Sequence, residues 1–429
     1  MQPEVQALAD GVRFIGITDG RFKTSRVTAA LLLPLREDTA SANALLPYLL
    51  RRGCAAYPDF TALNRRLNTL YGARILAEVT RVGECQALVL TAVSIDDRFA
   101  LEGEDVAAQC AALLCSMLFE PALLNGSFRL EDVEQEKRCL RELIESEINE
   151  KRWYARRQAE KLLCGGEPYA VDYYGTLERV DALTPEEAAA AWKKALTDAR
   201  VQLCVQGCGS AAGVAEAFRR GFAGRGQRQP APYTVNTVFD TAPLKAQTER
   251  MPVNQSKLVM GFRTTIAEPD GEVAALRLMN ALWGGTPHSL LFRHVREKLS
   301  LCYYCQSSFD RHKGVLLVDS GVEEAKAEQA EAEILRQLDA LREGRFTDEE
   351  LESARLSVVN QFRGVGDLQS SLSSWYLGQA GLEELTSPEQ AAAAVGAVTR
   401  ERVQAAAATV RYAARYMLAA EEKGGNADG

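Results

Sequence analysis

The order of its segments constrains this chain most, because that order occurs twice. From Phe60 an amphipathic helical run, TALNRRLNTLYG, leads into two adjacent strand-like runs, ARILAEVTRVG and ECQALVLTAVSI. An Ala/Leu-rich helix, AAQCAALLCSMLF, and a charged one, LEDVEQEKRCLRELIESEI, follow. From Leu290 the same order returns as LLFRHVREKLS, LCYYCQSSFD, KGVLLVDSGVE, AEQAEAEILRQLDALREG and TDEELESARLSVVNQFRG. Strands that neighbour one another while helices come in blocks favour an α+β sandwich over alternating β-α crossovers. The stretch GFAGRGQRQPAPY, residues 221–233, is rich in Gly and Pro and has no apolar period, as a connection should. The sequence therefore predicts a duplicated pair of α+β domains: 1–220, a linker over 221–245, and 246–429. The tail EEKGGNADG has nothing to bury and is expected to be disordered.

Length and composition agree with two ordinary globular domains: 429 residues, 47% hydrophobic and 25% charged. The net charge of −8 argues against a nucleic-acid partner and against an anionic membrane, both of which need a basic face. The start MQPEVQALADGV lacks the basic and apolar regions of a signal peptide, and no run approaches the roughly 18 apolar residues of a membrane span, so a cytoplasmic location is expected. Ten cysteines in a long chain of this kind read as reduced thiols, mostly in the core. Cys302 and Cys305 have the spacing of a redox or zinc pair, but positions i and i+3 of a regular strand point to opposite faces, which predicts no such site.

Several local strings carry a more specific signal. LWGGTPHSLLFRHVREKLSLCYYCQSSFDRHKGVLLVDSG in the second half, and RRGCAAYPDFTALNRRLNTLYGA with INEKRWYARRQAEKLL in the first, resemble the insulinase/pitrilysin superfamily of inverted-motif zinc peptidases over nearly the whole chain. The combination of GGTPHS, VREK and a double tyrosine is similar to its YmfF-type branch, bacterial homologues regarded as non-peptidase members. The resemblance implies two duplicated insulinase-like (LuxS/metallopeptidase-like) α/β sandwich domains.

Peptidases of that superfamily carry His-x-x-Glu-His on a helix shortly before a glycine. Two imidazoles on one helical face hold zinc, and the glutamate activates water. In SANALLPYLLRRG, counting back from Gly53 places those positions on Ala44, Pro47 and Tyr48. Alanine and proline have no side-chain donor, and a neutral phenol is a poor zinc ligand, so no metal and no cofactor are expected. A proline inside a helix costs about 3 kcal/mol, which predicts a kink at Pro47 or a late start near Asn43. Leu45, Leu46, Leu49 and Leu50 form the expected apolar stripe.

No other imidazole takes over. The three histidines, His288, His294 and His312, all lie in the second half and read as surface or turn residues. The third zinc ligand of the family is a glutamate on a downstream helix. Here Glu136 and Glu142 are spaced by five residues where the family pattern has six, and the residues themselves read as a solvated helix with pairs such as Glu134 with Arg138.

The resemblance also implies a retained pair, Arg296 and Tyr303, seven apart as in the peptide-contacting Arg/Tyr of the family. A guanidinium can fork onto peptide carbonyls, and a phenol can donate to an oxygen that gains negative charge. The bland alternative is an Arg296 paired with an acid and a Tyr303 filling the core. Tyr304 is expected on the opposite face of that strand. Gly284 and Gly285 read as a tight turn between helices, and Leu76 falls where peptidases often have asparagine on their peptide-binding edge strand.

The expected function is that of a catalytically inactive homologue. It would be the zinc-free subunit beside a zinc-bearing partner of the same superfamily (YmfH-type), contributing chamber wall and contacts to a peptide or small protein substrate. It could form a homodimer when alone. The alternative is a peptide-binding or structural scaffold with no part in turnover. An independent cysteine or serine hydrolase lacks the nucleophile elbow it would need.

Overall fold

The computed structural model describes residues 3–209, 211–223, 225–239 and 243–421. The C-terminal tail expected to be disordered lies, beyond Glu421, outside them. The chain divides into two compact units. One comprises Met1–Glu145, Val171–Thr234 and Gly366–Ser387; the other comprises Ser146–Ala170, Val235–Val365 and Pro388–Gly429. The break at Thr234 falls within the expected linker, but the units are not the contiguous domains the sequence predicts: each half of the chain gives a segment to the other unit. Nor is the linker a bare connection. Arg228 is buried there and donates to the carbonyl of Asp10 at 3.0 Å and to those of Leu196 and Ala199.

The first unit is built on a six-stranded sheet in the order Glu4–Ala9, Val12–Thr18, Arg200–Gly207, Thr24–Pro34, Cys85–Ile95, Arg74–Val82. Strands Val12–Thr18 and Arg200–Gly207 run parallel, and the other neighbours are antiparallel. Alternation along Thr24–Pro34 sends Val27, Ala29, Leu31 and Leu33 into a core shared with helices Ala40–Leu50, Phe60–Thr69 and Val106–Phe119. Asp59 and Asp105 cap the latter two, accepting from Ala62 N and Ala108 N, both at 2.8 Å. Ala30 and Leu32 point the other way, to a smaller cluster with Ala87, Val89, Leu377 and Ala380. There helix Gln369–Leu377 is tied to the sheet, Gln206 Nε2 donating to Ser373 Oγ at 2.8 Å and Gln369 Nε2 to the Thr24 carbonyl at 2.8 Å.

The second unit has a five-stranded sheet in the order Cys302–Asp310, Val315–Val322, Ser256–Arg263, Arg411–Ala420, Lys245–Met251, antiparallel except for the last pair. Helix Lys151–Leu163 from the first half lies on one face, Ala155, Ala159 and Leu163 packing on Val259, Leu317, Tyr416 and Leu418. Its polar side is anchored to Asp319, which is 1% exposed and accepts from Arg152 at 2.6 Å and from Arg156. Glu167 closes the segment by pairing with the buried Arg263 and with Lys313, the latter at 2.6 Å.

Candidate functional site

The helix Ala40–Leu50 takes Pro47 in its interior, so of the two expected outcomes the late start near Asn43 does not occur. Arg51 N–H still bonds the Pro47 carbonyl at 3.1 Å, so the winding continues past the proline. Burial holds it in place: Ala44 and Leu45 are 0% exposed, and Leu46, Pro47 and Leu50 line a small apolar crevice with Leu31, Leu88 and Trp192. The third motif position, Tyr48, is half-buried and hydrogen-bonded to Tyr174, with Arg51 and Glu78 nearby; burial, then Tyr174, pushes its phenol pKa well up.

Glu136 is buried and Glu142 exposed, so the charged helix Leu130–Asn149 is not simply solvated. Its inward stripe is Val133, Glu136, Lys137 and Leu140, at helical spacing, and its two charges are satisfied inside. Arg52 donates from Nη1 to Glu136 at 2.8 Å and from Nε to Asp132 at 2.6 Å. Lys137 donates to Glu134 at 2.8 Å and to the Asp181 carbonyl at 2.8 Å, and Arg138 donates to Gln135, so the expected pair of Glu134 with Arg138 is not formed. Zinc does not fit here: two motif positions have no donor atom, the third is a hydrogen-bonded phenol, and the buried carboxylate already holds a guanidinium. Among the described residues no three His, Cys, Asp or Glu side chains are grouped to hold a metal ion.

His288 is exposed after Gly285, His294 is half-buried on the helical segment Phe292–Lys298, and His312, its side chain 12% exposed, sits in the hairpin between the two strands Cys302–Asp310 and Val315–Val322. Gly284 is not a turn glycine. It lies inside the helical stretch Ala281–Gly285, where a Cβ would stand 2.7 Å from both Leu291 Cδ1 and Ser307 N, so its role is close packing. Leu76 is 44% exposed on the sheet's edge strand.

The segment that carries Arg296 winds wider than an α-helix, Leu299 N–H reaching back five residues to the His294 carbonyl at 3.2 Å. Arg296 is exposed, stacks over Phe292 at 4.6 Å, and makes no ion pair among the described residues. The following strand contains a bulge that the sequence did not announce. Cys302 stands opposite Val322 and Tyr304 opposite Gly321, leaving Tyr303 without a partner and 66% exposed. Tyr304 lies under Arg152, whose guanidinium is 4.4 Å from the ring. The bulge also overturns the expectation for the cysteines: Cys302 stands opposite Val322 and Cys305 opposite Ser320, so the two share one face of the strand, and both are buried.

Residues 182–358 match the family model described as Peptidase M16 inactive domain. The chain is 29% identical over 402 residues to the probable inactive metalloprotease YmfF of Bacillus subtilis (strain 168), covering 94% of each. A crystal structure of a conserved protein from Enterococcus faecalis V583 matches with a TM-score of 0.89 and 26% identity over 98% of this chain and 99% of that one. The chain is thus similar over nearly its whole length to inactive homologues of the M16 peptidases. The M16 inactive domain from Pseudomonas fluorescens shares the fold, with a TM-score of 0.78 at 17% identity over 98% of both chains. The relatives it matches are named as inactive, and Ala44, Pro47 and Tyr48, at the positions counted back from Gly53, agree with that description. Among the described residues no helix is long and apolar enough to cross a membrane.

Proposed function

We propose that this M16 homologue is the zinc-free subunit of a two-chain peptidase, in which a zinc-bearing homologue supplies metal and base. This chain contributes chamber wall, and Arg296 and Tyr303 contact the peptide. The observation that supports the reading is the state of that pair in a chain without zinc ligands. Among the described residues Arg296 has no acidic partner, and Tyr303 is turned out of the ladder by the bulge, where a core residue would be buried. A guanidinium without an acidic partner and an exposed phenol meet a peptide backbone at the cost of ordering and desolvation alone, since neither must first break an internal hydrogen bond.

The test is co-purification with a zinc-bearing homologue from the same genome, with metal content, mass and peptide turnover measured together. The isolated chain is expected to bind no stoichiometric zinc and to cleave nothing, while the complex does both. Arg296→Ala and Tyr303→Phe should lower the turnover of the complex about tenfold or more, in line with loss of one oriented hydrogen bond. Unchanged turnover in both variants with the complex intact assigns the chain to a scaffold role instead, and full activity from this chain alone refutes the proposal.

A further inference from the structure

The bulge places two thiols together at the start of an exposed edge. Strand Cys302–Asp310 is the outermost of its sheet, and the register slip at Tyr303 shortens and bends the strand between the cysteines. Cys302 is 8% exposed and Cys305 4%, both on the buried side, with Tyr303 looped outward between them. We propose that Cys302 and Cys305 form a peroxide-sensitive dithiol that closes to an intrachain disulfide across Tyr303. This goes beyond the functional reading above and does not depend on it.

The two thiols are set up unequally. The hydrogen bond from Cys305, outweighing burial and joined by the positive charge of Arg296, lowers the pKa of Cys302, while Cys305 is held well above its ordinary value. In the other deeply buried thiols burial outweighs the groups that would lower the pKa. Burial pushes Cys85, Cys115 and Cys164 up to about 12, which leaves them inert packing.

In the reaction the Cys302 thiolate attacks one oxygen of hydrogen peroxide. The O–O bond breaks, a sulfenic acid forms, and the departing hydroxide takes a proton to leave as water. Cys305 Sγ then attacks the Cys302 sulfur, and its thiol proton goes to the departing hydroxyl, which leaves as a second water. Two thiols and one peroxide become one disulfide and two waters, and the two electrons lost by sulfur reduce the peroxide. Edge strands open locally more readily than central ones, which gives the oxidant a route.

Both cysteines fall in one tryptic peptide, LSLCYYCQSSFDR, residues 299–311. The full chain, reduced and desalted, is exposed to hydrogen peroxide, unfolded, alkylated, digested and weighed. The expected peptide has lost two hydrogens, about 2 Da, takes no alkyl group, and regains two after dithiothreitol. Cys305→Ser should instead leave a sulfenic acid at Cys302 that dimedone traps, while Cys302→Ser should leave Cys305 reduced. Two alkyl groups on the wild-type peptide, at a dose that oxidises free glutathione, overturn the proposal, as does a disulfide from either cysteine to a third. The wild-type reading stands even if a variant fails to fold.

Discussion

Arg52 holds Glu136: its Nη1 lies 2.8 Å from the carboxylate oxygen, and the carboxylate side chain is 5% exposed. The cation facing this buried acid is thus covalently part of the chain. Truncation by Arg52→Ala strands the charge in the core and should cost about 2–4 kcal/mol. Arg52→Ala combined with Glu136→Gln should recover part of that loss, because the amide no longer needs a counter-charge. Urea unfolding of the three proteins checks it; equal losses in the single and double variants would show that the packing of Arg52, and not its charge, matters.

Asp319 anchors the helix Lys151–Leu163 through two arginines of unequal burial, Arg152 at 34% and Arg156 at 14% exposure. Arg156→Ala should therefore destabilise the second unit by about 2–3 kcal/mol and Arg152→Ala by about 1 kcal/mol, since solvent screens the outer pair. Hydrogen exchange should show residues 146–170 losing protection together with the sheet Val315–Val322 in the Arg156 variant.

His312 makes stability depend on pH. Burial, aided by Arg311 and Arg277 and opposed by Asp310, lowers its pKa to about 4 from 6.5. Glu268 lies 3.4 Å away and would favour a charged imidazole, but it is already paired with Arg311 at 2.8 Å, and burial prevails. The fold keeps this ring neutral while the unfolded chain protonates it near 6.5, so its contribution is complete above 6.5 and is lost as pH falls towards 4. His312→Gln should show a shallower decline in melting temperature between pH 7 and pH 5 than the wild type. Glu268, whose pKa burial raises, acts in the opposite sense and is common to both proteins.

Gly175 sits at φ +79°, and a Cβ there would stand 1.8 Å from Ser41 Oγ at the start of the former motif helix. Gly175→Ala combines backbone strain with a steric clash, and should cost about 2 kcal/mol or more. It also displaces the Ser41 hydroxyl that accepts from Thr176 N at 3.3 Å. Thermal unfolding reads the loss, and Gly72→Ala, with positive φ but open space around it, isolates the strain alone.

What could be read in advance was local. The strand pairs Arg74–Val82 with Cys85–Ile95 and Cys302–Asp310 with Val315–Val322 follow from alternation, and the missing zinc ligands follow from residue identity alone. The burial of Glu136 did not, because a carboxylate in a helical stripe looks solvated until Arg52, far away in sequence, is seen beside it. The bulge at Tyr303 was equally hidden: Tyr-Tyr-Cys reads as regular strand, and a one-residue slip reverses which side chains share a face. The exchange of Ser146–Ala170 and Gly366–Ser387 between units is a matter of distant packing that no local pattern encodes.

That exchange sets an order on synthesis. The first unit includes Gly366–Ser387, so the apolar patch around Ala30, Leu32 and Val89 lacks the cover of Leu377 and Ala380 until those residues have been made. A gene cut between the halves would yield two fragments, each holding a helix that belongs to the other and lacking one of its own. The duplication is written in tandem, but its two products can only be finished together.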